Sequence, residues 1–75
     1  MKKEEFLTAL EDVLQREEQC AEGDNLTDYV EWDSLSKMAI MAYFDRNFGI
    51  KITLSKLAEF KTVADLIALA GDKIQ

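Results

Sequence analysis

The chain has 75 residues, 48% of them hydrophobic, with no histidine, no proline, three glycines and one cysteine. That length bounds it to one domain over residues 1–75 with little room for a deep catalytic cleft, and the apolar content excludes a disordered chain. The formal charge of −6 is uneven: residues 1–33 hold eleven acids and three bases, residues 34–75 hold four acids and six bases, and no basic cluster suits nucleic acid.

Residues 3–18 read as a helix, because Phe6, Leu7, Leu10, Val13 and Leu14 recur at helical spacing. Residues 19–33 break the pattern, with turn chemistry at Gly23-Asp24-Asn25. In a compact domain a loop this long is anchored or functional, and Leu26 and Trp32 are the expected anchors. A second helix should start at Asp33-Ser34, with Asp33 as N-cap, and stop near Phe48-Gly49.

Residues 50–53, Ile-Lys-Ile-Thr, have no second strand to pair with and are read as an extended linker. Thr53 should cap a short helix over 54–59. Thr62 opens the last helix, with Asp65 three residues on in a capping-box arrangement. Val63, Leu66, Ile67, Ala70 and Ile74 give that helix its apolar face. The expected fold is all-α: a small bundle of three main helices plus one short helix, with a long loop between the first two.

The second helix carries two apolar sets. Ile40, Met41, Phe44 and Phe48 are bulky and should face the core. Leu35, Met38, Ala39 and Ala42 begin beside Ser34 and run down a neighbouring face. Either this second set stays exposed and binds partners, or the two merge into one wide core face.

The absence of histidine removes the commonest general base and metal ligand, and no metal-binding spacing or phosphate-binding glycine loop is present. No catalytic residue and no metal site are expected. Cys20 can form no internal disulfide, and Glu18 and Glu22 nearby disfavour its thiolate. The acid pairs Glu4-Glu5, Glu11-Asp12 and Glu17-Glu18 read as a solvated helix face. Met-Lys-Lys followed by two acids, with no long apolar run, is neither a secretory signal nor a membrane span, so the cytoplasm is the expected location.

Ser34 remains. A side chain at the first turn of a helix, after a polar loop, should be exposed. The free N–H groups and dipole there favour an attached anion such as a phosphodiester. On spacing alone plain helix capping, by Asp33 or by Ser34 itself, is the simpler account, because Asp-Ser pairs at helix starts are common.

Trp32-Asp33-Ser34-Leu35 resembles the Asp-Ser-Leu signature of the acyl carrier protein family. The first helix, the loop with Leu26, Phe48-Gly49-Ile50 and the run from Phe60 to Leu66 also fall where that family has them. The resemblance implies a 4′-phosphopantetheine arm on Ser34, flanked by Asp33 and Leu35, and added from coenzyme A by a phosphopantetheinyl transferase. It implies acyl or aminoacyl groups carried as thioesters on the arm, partners that load and process them, and a monomeric carrier that is not itself an enzyme. Carriers of fatty acid synthesis bear several acids after the serine, whereas residues 36–46 here hold one acid and two bases. Trp before Asp-Ser-Leu resembles stand-alone carriers of specialised lipid, polyketide or polysaccharide-linked pathways. The alternative function is a small helical adaptor with no prosthetic group, whose second apolar set binds a partner protein.

Overall fold

The computed structural model describes residues 1–74, which form four α-helices: α1 (Lys3–Leu14), α2 (Ser34–Phe48), α3 (Leu54–Ala58) and α4 (Val63–Ala70). No strand occurs among the described residues, and the all-α expectation holds. Residues 50–53 link α2 to α3 without strand structure.

Each helix starts where a side chain takes its free N–H groups. Glu5 accepts from the Lys2 N–H at 2.9 Å at the head of α1. Asp33 caps α2 and Thr53 caps α3, as the sequence predicts. At α4 the capping box closes: Asp65 accepts from the Thr62 N–H at 3.1 Å, and Thr62 Oγ1 accepts from the Asp65 N–H at 3.3 Å. Gly49 ends α2 in the left-handed region at φ 68°, with the Ile50 N–H reaching back to the Phe44 carbonyl at 3.2 Å.

α1 is shorter than the predicted 3–18. It stops at Leu14 because Gln15 turns left-handed, at φ 56°, and the Arg16 N–H closes onto the Glu11 carbonyl at 2.9 Å. Glu17, Glu18 and Gln19 are exposed and bring no apolar side chain that would hold another turn on the core. Glu11 also departs from the expected solvated face: half-buried, it accepts from the Cys20 N–H at 2.9 Å. The last helix likewise ends earlier than its apolar pattern implies. Gly71, at φ 63°, breaks it, and a 3₁₀ turn over Gly71–Lys73 returns Ile74 to the core from outside the helix.

The core lies where the helices meet. Phe6, Leu10 and Leu14 of α1 face Ile40 and Phe44 of α2, and Leu57 of α3 and Val63, Leu66, Ile67 and Ala70 of α4 close it. Phe44 is fully buried, edge-on to Phe6 at 5.9 Å and to Phe48 at 5.2 Å. Such aromatic pairs add attraction beyond the area they bury. Phe48 and Met41 are only half-buried, at the rim of this core.

The long loop is pinned at several points. Leu26 is fully buried, as expected of an anchor. The second anchor is Tyr29 rather than Trp32: Tyr29 is buried with its hydroxyl donating to Asp24 at 2.7 Å, so its polar end is satisfied. Trp32 stays half-buried at the edge, with Lys37 over its ring at 5.7 Å. The loop also joins α4: Asn25 and Thr62 form an isolated antiparallel bridge, with the Leu26 N–H on the Lys61 carbonyl at 2.8 Å and the Val63 N–H on the Asp24 carbonyl at 3.0 Å.

Truncating Phe44 removes the ring at the centre of this packing. Phe44→Ala should cost roughly 3–5 kcal/mol, comparable to the whole stability of so small a domain. The expected result is loss of a cooperative thermal transition by circular dichroism. Phe48→Ala, at the rim, should retain one at reduced temperature.

Candidate functional site

The site is built on the first turn of α2. Asp33 is extended, at φ −124° and ψ −177°, and its Oδ1 accepts from the Ser36 N–H at 2.8 Å. The Lys37 N–H takes the Asp33 carbonyl at 2.9 Å, the first full helical bond. Asp33 is therefore the cap, and capping does not occupy Ser34. Ser34 is the first helical residue and is exposed. The two readings of the Asp-Ser pair thus separate: one residue closes the helix and the other is left free at its positive end.

The accepted backbone bond from Ser36 holds the Asp33 carboxyl below its ordinary range. Asp65 is lowered in the same way by the Lys61 and Thr62 N–H groups. Asp24 is lowered by the Tyr29 hydroxyl and the Ala21 N–H. Burial pushes the Cys20 thiol up, away from the reactive thiolate. Among the described residues no group of three or more His, Cys, Asp and Glu side chains is placed to hold a metal ion.

The second apolar set of α2 is exposed beside Ser34. Leu35 is 77% and Met38 58% accessible, and Ala39 and Ala42 are also exposed. Val30, on the loop side of Ser34, is 88% accessible. Sequence reading did not single Val30 out, since an isolated valine in a loop shows no periodicity; its only signal is its place four residues before the serine. Two open cavities flank Met38. One of about 380 Å³ lies toward α1, with Val13, Leu35 and Ala39 in its wall. The other, about 370 Å³, lies toward the α2–α3 linker, with Met41, Ala42 and Ile52.

A family model described as the phosphopantetheine attachment site matches residues 4–70. The chain belongs to the phosphopantetheine attachment family. No curated protein and no solved structure gives a significant match. Members of this family carry a covalently attached 4′-phosphopantetheine and meet a phosphopantetheinyl transferase and other partner enzymes, and the carrier domain is not itself catalytic. The residues at the head of α2 fit such a group: an exposed hydroxyl, first-turn N–H groups suited to a phosphodiester, and apolar walls on either side. No helix among the described residues is long and apolar enough to cross a membrane.

The cap geometry carries a pH signature. A carboxyl lowered in the folded state adds stability that is fully present above its unfolded value, about 3.9, and is lost as pH falls through the folded one. The melting temperature should therefore include a component lost below about pH 4. Asp33→Asn/Asp65→Asn should fall less steeply with acid than wild type, because asparagine caps without titrating. Circular dichroism melts from pH 6 to 2.5 measure the difference.

Proposed function

We propose that residues 1–75 act as a single, monomeric cytoplasmic carrier domain with 4′-phosphopantetheine attached at the Ser34 hydroxyl. The observation that carries this reading is the division of roles at α2, where Asp33 takes the cap and leaves Ser34 exposed at the helix start. When bound, the group supplies a terminal thiol that holds acyl or aminoacyl groups as thioesters. The protein's own part is presentation. Asp33 orders the first turn, the positive end of α2 suits the negative charge of a phosphodiester on Ser34, and the burial of Phe44 keeps the helix from rolling. The chain would serve fatty acid synthesis or a specialised lipid, polyketide or polysaccharide-linked pathway, without being an enzyme itself.

The exposed set Leu35, Met38, Ala39 and Ala42 is the proposed docking face for the transferase, the loading ligase and the acyl-processing enzymes. Lys37 and Arg46 on the same helix, against the one acid Asp45, make an acid-led contact unfavourable there. Glu31 in the preceding loop is already engaged by Arg16 at 2.9 Å, which leaves less free acid near Ser34.

Incubation with coenzyme A and a phosphopantetheinyl transferase should add one phosphopantetheinyl group by intact mass, and peptide mapping should place it at Ser34. Ser34→Ala should abolish the gain while keeping the helical spectrum; modification that persists in this variant rules the assignment out.

Docking led by apolar burial should respond weakly to salt, because salt screens charges beyond about 8 Å at physiological strength but does not screen burial of nonpolar surface. Initial rates of transfer should change little with sodium chloride, and Met38→Glu should slow transfer more than Asp45→Ala. A steep fall with salt, or the opposite ranking of the variants, would place recognition on charge.

A further inference from the structure

Arg16 is the one basic residue between Lys3 and Lys37, a stretch that holds all eleven acids of the first 33 residues. It lies immediately after Gln15, whose left-handed backbone, at φ 56°, is costly for a residue other than glycine. The Arg16 side chain is only 13% exposed. Its Nη1 donates to Glu31 Oε1 at 2.9 Å, Nη2 meets Glu18 Oε2 at 3.5 Å, and the guanidinium lies 3.9 Å above the Tyr29 ring. Its Nε is buried without a partner, so the group is held in place at some desolvation cost. A strained turn and a half-desolvated cation together mark a defined position for this side chain.

What Arg16 grips leads directly to the serine. Glu31 accepts from Arg16 with its carboxylate, and its carbonyl accepts from the Asp33 N–H at 3.0 Å. Asp33 in turn caps α2. Tyr29, beneath the guanidinium, accepts the Trp32 N–H on its carbonyl at 3.1 Å and donates its hydroxyl to Asp24 at 2.7 Å. One side chain just beyond α1 thus holds both branches of the turn that delivers Asp33 and Ser34.

We infer that Arg16 is a positioning residue for modification at Ser34: through Glu31 and Tyr29 it keeps the last turn of the loop in the one arrangement that presents Ser34 to the transferase. The inference rests on the proposed attachment at Ser34. Without the grip, the loop end samples other arrangements, and the competent one is a fraction of the population. Apparent affinity falls by that fraction while the rate from the bound complex is kept. Lysine keeps the charge but neither the fork geometry nor the flat face that lies on Tyr29, so it should recover only part of the effect.

The test uses the full chain as wild type, Arg16→Gln, Arg16→Lys and Glu31→Gln. All are assayed at a temperature where circular dichroism shows each fully folded. Initial rates of phosphopantetheinyl transfer from coenzyme A are measured by intact mass against carrier concentration. Amide hydrogen exchange is followed in parallel. Arg16→Gln should raise KM roughly three- to tenfold with kcat within about twofold. Arg16→Lys should fall between it and wild type. Faster exchange should be confined to residues 29–36. Should Arg16→Gln fail to fold, Glu31→Gln, which removes the charge from the bond to Arg16 but leaves Arg16 over Tyr29, should give a smaller change in the same direction, led by KM. A wild type modified at Ser34 beside variants of unchanged KM overturns the positioning role, as does faster exchange spread evenly over all four helices. A wild type that gains no group at Ser34 overturns the attachment reading, and the role of Arg16 falls with it.

Discussion

The rotation of α2 about its own axis is the constraint on which the rest depends. Ile40 and Phe44 are buried, and Phe44 is edge-on to rings of α1 and of its own helix. Packed interiors do not accommodate small rolls of such rings, because each contact is near its optimum distance. With that face locked inward, Leu35, Met38 and Ala42 are carried to the outside. Exposed apolar surface is costly to keep on so small a protein. Here it lies around the first turns of α2, beside Ser34, the proposed attachment point, and a net charge of −6 opposes self-association.

The loop before α2 is held in a different manner. Its sequence is too polar to pack as the helices do, so three buried side chains, Cys20, Leu26 and Tyr29, fasten it to the core, and hydrogen bonds do the remainder. Asp24 collects the Tyr29 hydroxyl and the Ala21 N–H on its side chain and the Val63 N–H on its carbonyl. Arg16 lies over the Tyr29 ring and is the cation of an acidic segment, joined to Glu31 and Glu18. The loop is thereby a fixed connection between α1, α4 and the start of α2.

This arrangement suits a carrier. The protein does not need a cleft, because the reactive chemistry belongs to the attached group. It needs an accessible attachment point on a rigid element and a surface that other proteins can recognise. The head of α2 meets the first requirement through its cap and its buried rings, and the exposed apolar set offers a means to the second.

Much of this was legible from residue order alone. Caps and stops act through neighbours in sequence, so Asp33, Gly49, Thr53 and Thr62 mark the helix boundaries where the structure has them. The Trp-Asp-Ser-Leu run pointed to the family because its chemistry is local to one turn. What residue order left open depended on distant partners. α1 ends at Leu14 in the left-handed turn at Gln15, and Arg16 beyond it pairs with Glu31, fifteen residues on, a contact that nothing within the helical pattern announces. Tyr29 replaces Trp32 as anchor because Asp24 is in reach of its hydroxyl, and Ile74 reaches the core only through the turn at Gly71. Periodicity put Ile40, Met41, Phe44 and Phe48 toward the core and left two outcomes for the set beginning at Leu35, exposure or merger into one wide core face. Tertiary packing chose between them, because the space beside α1 and α4 is filled by Ile40 and Phe44 and leaves no place for Leu35 and Met38.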